Sequence, residues 1–129
     1  ISIHSNYNDE THHLVNAERI ALMPGKSSDG IPCGNHIVNC ARGGIIDENA
    51  LLEALESGKV ASAALDVFEV EPVPAGNKLI QHPHFHGTPH IGAATLEAQA
   101  RVGRDIAQAV MTVLNGKKAD TTVNSHLLE

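Results

Sequence analysis

The sequence predicts an α/β domain built on a parallel sheet, and three observations carry that expectation. Short β-prone segments alternate with helical patterns along the chain. Residues 60–67, Val-Ala-Ser-Ala-Ala-Leu-Asp-Val, are almost continuously apolar, the pattern of a parallel strand covered on both faces. The last helical pattern is long, with Ala98, Val102, Ile106, Val110 and Val113 recurring at helical spacing.

The elements follow in order. Residues 1–4 read as a strand, and the polar stretch 5–11 as a loop. Asn16 is an N-cap for a short helix over 16–23, stopped by Pro24-Gly25. Residues 26–35 (KSSDGIPCGN) form the one long stretch of loop character, and 36–40 a short strand. After the glycine-bearing turn 41–44, Asp47 caps a helix over 48–57, with Leu51, Leu52 and Leu55 on one stripe and Gly58 as its stop. The apolar strand 60–67 is followed by a proline-rich loop, 71–76, and a last short strand over 85–88. A helix over 96–115 ends at Gly116, and a polar tail with an extended stretch at 121–124 closes the chain.

Composition narrows the function classes. With 129 residues and 42% of them hydrophobic, the chain has enough for one core and no second ordinary domain. No apolar run nears the roughly 20 residues that cross a bilayer, and the first residues carry no secretory pattern. A net charge of -6 opposes binding to a phosphate backbone, so no nucleic-acid partner is expected. Two cysteines, Cys33 and Cys40, are too few for a disulfide scaffold and suit a reducing compartment, here the cytoplasm.

The residues with chemistry collect at strand ends. Arg42 follows the strand 36–40, Asp66 and Glu71 follow 60–67, and His90 follows the last strand. Ligands of open parallel sheets bind outside the carboxyl ends of the strands. A guanidinium fork for a carboxylate, an imidazole to exchange a hydroxyl proton and a carboxylate to orient that imidazole suit hydride transfer on a 2-hydroxy or 2-oxo acid. His82, His84, His86 and His90 also recur at even spacing. No carboxylate or thiol lies close to them, and Pro83 and Pro89 interrupt a regular strand, so no metal site is expected.

Three longer segments are more specific than any single residue. Val38-Asn-Cys-Ala-Arg-Gly-Gly-Ile-Ile-Asp47, Ala63-Ala-Leu-Asp-Val-Phe-Glu-Val-Glu-Pro72 and Thr88-Pro-His-Ile-Gly-Ala-Ala-Thr-Leu-Glu-Ala-Gln99 resemble, in order, motifs of the D-2-hydroxyacid dehydrogenase family. The resemblance covers nearly the whole chain and weakens at 5–10, 26–35 and the last few residues. It implies an NAD-dependent oxidoreductase of a small 2-hydroxy acid that works as a homo-oligomer, with Arg42, Glu71 and His90 as its catalytic residues. It further implies that Ser5, Cys40, Ala41, Arg42, Asp66, His90, Ile91, Gly92 and Ala93 approach the NAD, with Asp66 on the nicotinamide carboxamide. No G-x-G-x-x-G occurs in the sequence, so the expected fold is a Rossmann-type half-domain lacking the glycine-rich first half, and the segment by itself is expected to be inactive. Residues 1–120 would then be the carboxy-terminal part of the NAD-binding domain, and 121–129 a tail leading toward a substrate domain. Two rival functions remain open at this level: an NAD-sensing binding module of the corepressor type, and a non-catalytic half-domain that dimerises.

Overall fold

The computed structural model describes residues 1–124, so the end of the expected tail, 125–129, lies outside the described residues. The chain forms two compact units, Ile1–Gly92 and Ala93–Glu129.

The first unit carries β1 (Ser2–Ile3), α1 (Ala17–Ala21), β2 (His36–Asn39), α2 (Glu48–Glu56), β3 (Ser62–Leu65) and β4 (Phe85–Gly87). The four strands form one sheet in the order β1-β2-β3-β4, and every pair is parallel. The α/β parallel architecture is therefore as expected, with strands shorter than the apolar runs that mark them. Only 62–65 of the run 60–67 enter the ladder, while Val60 and Val67 are buried just outside it.

The expectation of two covered faces does not hold for this strand. Burial along β2 and β3 alternates, with Ile37, Asn39, Ala63 and Leu65 buried and His36, Val38, Ser62 and Ala64 more accessible. The two helices α1 and α2 pack against each other, and Ile20, Leu51 and Leu55 join the strands in the core, as crossovers of the usual right hand would arrange them. Ala64 reads as apolar without demanding burial, which is why the sequence pattern overstated the coverage.

Both helices begin where their caps predict. The Asn16 side chain accepts the amide of Arg19, and the Asp47 carboxylate accepts those of Asn49 and Ala50, satisfying donors that a first turn leaves open. Residues 26–35 are more ordered than a plain loop: Lys26 and Pro32 make an antiparallel bridge, and Ser27 N donates to Ile31 O at 2.9 Å.

The second unit holds α3 (Leu96–Leu114), capped by Thr95 on the amide of Ala98. After Gly116, with φ +73°, the chain turns at 120–121 and 123–124 rather than running extended. The amide and hydroxyl of Thr122 both donate to Ala119 O, so a local turn takes the groups that a strand would have needed.

Candidate active site

Four loops leave the carboxyl ends of the four strands, and together they wall an open cavity of about 840 Å³. Its lining includes Ser5 and Tyr7 after β1, Cys40 to Gly43 after β2, Phe68, Glu69 and Glu71 after β3, and His90 after β4. The fold thus brings Arg42, Glu71 and His90 to one place from three separate strands.

Arg42 is set by its neighbours in sequence. Asn39, the last residue of β2, is 1% exposed and folds the following turn with its side chain. Its Oδ1 accepts from the amide of Ala41 and its Nδ2 donates to Arg42 O, both at 2.9 Å. The guanidinium of Arg42 donates to Ala41 O at 2.7 Å and makes no ion pair among the described residues, although Glu69 and Glu71 line the same cavity. An exposed guanidinium fork without a carboxylate partner is available to a ligand carboxylate. Gly43 is required by a close approach: a Cβ there would lie 1.9 Å from Phe68 O.

Glu71 and His90 form a pair. His90 Nδ1 donates to Glu71 Oε2 at 2.8 Å, which leaves Nε2 as the ring's free acceptor when the imidazole is neutral. The other carboxylate oxygen, Oε1, accepts the amide of Phe68 at 2.9 Å. These two bonds, that from His90 first, hold the Glu71 carboxyl below its usual range, so it stays ionised. His90 has φ +55°, a left-handed conformation that a non-glycine residue adopts only when its surroundings fix it.

Asp66 supplies that fixing. It is 4% exposed, and its Oδ1 accepts from the Thr88 hydroxyl and the Ile91 amide while Oδ2 accepts the Gly92 amide at 2.7 Å. The carboxylate therefore brackets His90 from both sides. The Thr88 hydroxyl foremost, with the two amides, keeps Asp66 below its ordinary carboxylate range despite burial.

The cofactor residues expected from sequence separate into three sets. Ser5, Cys40, Ala41, Arg42 and His90 line the cavity together. Asp66 lies outside that wall, and the amides of Ile91 and Gly92 are taken up by it. Ala93 falls in the second unit. Ser5 also offers a test of fit for a bound cofactor: its hydroxyl is buried and has no hydrogen-bond partner among the described residues. A polar group of a ligand entering this cavity would complete it. No cluster of three or more His, Cys, Asp or Glu able to hold a metal occurs among the described residues.

Sequence reasoning missed Asn39 and the network beside Glu71. Glu69 Oε1 accepts from Glu48 N and His13 Nε2, each at 3.1 Å, and Glu69 N donates to Glu48 Oε1 at 2.6 Å. Burial raises the Glu48 carboxyl, and the charge of Glu69 adds to it. A polar Asn closing an apolar strand is a turn signal that could have found Asn39. Nothing in the sequence pairs Glu69 with a helix start 21 residues earlier.

Comparison with known proteins gives the family of the chain. Residues 1–92 match the family described as D-isomer specific 2-hydroxyacid dehydrogenase, NAD binding domain. The D-3-phosphoglycerate dehydrogenase of Bacillus subtilis is 48% identical over 124 residues, which is 96% of this chain and 22% of that protein. The chain thus spans about a fifth of the length of the curated relatives it matches. Among solved structures, the TT0316 protein of Thermus thermophilus superimposes with a TM-score of 0.84 at 36% identity, over 95% of this chain and 36% of that one. The holo form of Rhodotorula graminis D-mandelate dehydrogenase does so with a TM-score of 0.79 at 37% identity, over 93% and 32%. The chain belongs to the NAD-binding domain family of the D-isomer specific 2-hydroxyacid dehydrogenases.

Proposed function

We propose that the full-length gene product carrying this sequence oxidises a D-2-hydroxy acid with NAD, and that D-3-phosphoglycerate is its substrate. One observation carries the reaction class: an unpaired guanidinium, Arg42, and an imidazole–carboxylate pair, His90 and Glu71, open into one cavity. The names of the curated relatives support the substrate. Bound NAD would supply the hydride acceptor for carbon 2.

This chain's residues do the rest. Arg42 binds the substrate carboxylate through two parallel N–H···O bonds and so orients carbon 2. His90 Nε2 accepts the hydroxyl proton as the carbonyl forms, and Glu71 stabilises the imidazolium through Nδ1. Asp66 holds the His90 turn, and Ser5, Cys40 and Ala41 contribute the wall against which the nicotinamide would rest. Asp66 Oδ2 accepts one bond and retains a lone pair for the carboxamide. No helix among the described residues is long and apolar enough to cross a membrane. The reading carries with it a cytoplasmic homo-oligomer without a nucleic-acid partner, in which residues 1–120 complete an NAD-binding domain and 121–129 lead toward a substrate domain.

The test is NADH formation by the full-length gene product. Catalytic efficiency is expected to be highest with D-3-phosphoglycerate, lower with D-lactate and D-mandelate, and absent from the 129-residue segment, which has no glycine turn for the pyrophosphate. Preference for another 2-hydroxy acid would overturn the substrate. NAD binding without turnover of any of them would favour the sensing module.

A further inference from the structure

Glu69 lies outside the Arg42, Glu71 and His90 set, yet it lines the same cavity. It stands two residues before Glu71 in a segment, 68–71, that has no helix or strand of its own. Such a loop keeps a side chain in place only if its backbone is held by other means. Glu69 provides two holds to α2, because the amides of Glu48 and Glu69 are each accepted by the other residue's carboxylate. The third hold comes from His13, whose Nε2 donates to the same Oε1.

His13 makes this more than a local tie. Its φ is +48°, outside the range a histidine adopts by preference, and its amide donates to Gly44 O at 2.8 Å. Gly44 closes the turn that carries Arg42. The backbone alongside continues the attachment, since Val15 N donates to Ile45 O and Asp47 N to Val15 O, each at 3.0 Å. A chain of bonds therefore runs from the Arg42 turn through His13 to Glu69, and from Phe68 N to the carboxylate that holds His90. Gly43 and Phe68 also approach each other directly, backbone against backbone.

We propose that Glu69 is a positioning residue, which with His13 and Glu48 clamps the 68–71 loop to the Arg42 turn and thereby keeps the Glu71 carboxylate on His90. The proposal rests on the dehydrogenase reading for its kinetic consequence and on the geometry alone for its structural one. Loss of the clamp frees the loop, so Glu71 no longer meets His90 Nδ1 in a fixed orientation. The effect falls on the chemical step rather than on cofactor binding, because Glu69 is not among the residues expected at the NAD.

The experiment uses the full-length gene product with Glu69→Ala and Glu69→Gln. Glu69→Ala is expected to lower kcat about tenfold and to leave KM for NAD within about twofold. Glu69→Gln keeps an acceptor oxygen for His13 and for the Glu48 amide, so it should recover most of the loss. Wild-type kcat in Glu69→Ala, or an equal loss in both variants, overturns the clamp. A second readout is independent of turnover: the ring ¹⁵N signals of labelled histidine, with His90 assigned by its loss in His90→Asn. In Glu69→Ala the His90 signal should move toward its position in Glu71→Gln, and a signal unchanged from wild type overturns the proposal. Should wild-type protein oxidise no D-2-hydroxy acid, the dehydrogenase reading fails while the ring signals still decide the clamp. If Glu69→Ala does not fold, His13→Ala removes one hold and leaves Glu48 in place, with the same direction expected in both readouts.

Discussion

Gly43→Ala places the sharpest demand on the proposed geometry. The new methyl carbon would stand 1.9 Å from Phe68 O, whereas ordinary contact begins at about 3.4 Å, so the two backbones must part by about 1.5 Å. Neither side is a flexible side chain that can swing away. Gly43 follows Arg42 directly, and Phe68 N–H is one of the two groups holding Glu71. The displacement therefore falls on the guanidinium, on the carboxylate, or on both. Overpacking of this kind costs about 1–3 kcal/mol of stability. A shift of about 1 Å in catalytic groups costs on the order of a hundredfold in rate, equivalent to about 2.7 kcal/mol of transition-state stabilisation. The assay is kcat/KM of the full-length gene product, read beside its denaturation midpoint. Gly58→Ala is the control, because Gly58 has φ +74° and a Cβ placed there would meet nothing within 4 Å. That change strains the backbone by about 1–2 kcal/mol and should leave the kinetics unaltered. A Gly43→Ala enzyme with wild-type kcat/KM would refute the contact between the Arg42 turn and the Glu71 loop.

Three further outcomes follow from the same geometry. Arg42→Lys should lower kcat/KM at least about tenfold, because a point charge replaces a planar fork, and an unchanged value would remove Arg42 from the substrate site. Asn39→Ala leaves the Ala41 amide and Arg42 carbonyl without their buried partner and should cost roughly 2–4 kcal/mol by denaturant titration; a loss below about 0.5 kcal/mol would show that water replaces the side chain. Asp66 and Glu71 both lie below their ordinary carboxylate range in the folded state, so their stabilisation is complete above about pH 5 and is lost as pH falls through the lowered folded values. Asp66→Asn should flatten that acid limb of stability, and an acid limb identical to wild type would contradict its bonds to the 88–92 segment.

The sequence by itself determined the class of the domain and which candidate residues share one edge of the sheet. Alternation of β-prone and helical segments specified parallel β/α units, because each helix must return the chain to the same end of the sheet. That return puts residues following each strand at one edge, so Arg42, Glu71 and His90 were legible as a set before any distance was known. Asp47 and Asn16 were legible as caps because capping is a local exchange between a side chain and the next turn's amides. Coverage of β3 was not legible, since small residues such as Ala64 tolerate either face. Tertiary structure alone decided how the three proposed catalytic groups are held. Asp66 brackets His90 from residues 22 to 26 positions away, Gly43 rests against Phe68, and Glu69 meets His13 across 56 positions. Such contacts carry no periodicity and no fixed spacing: they exist only once the strands have aligned, when a buried carboxylate or a close backbone must find its partner in whatever loop the sheet has brought beside it.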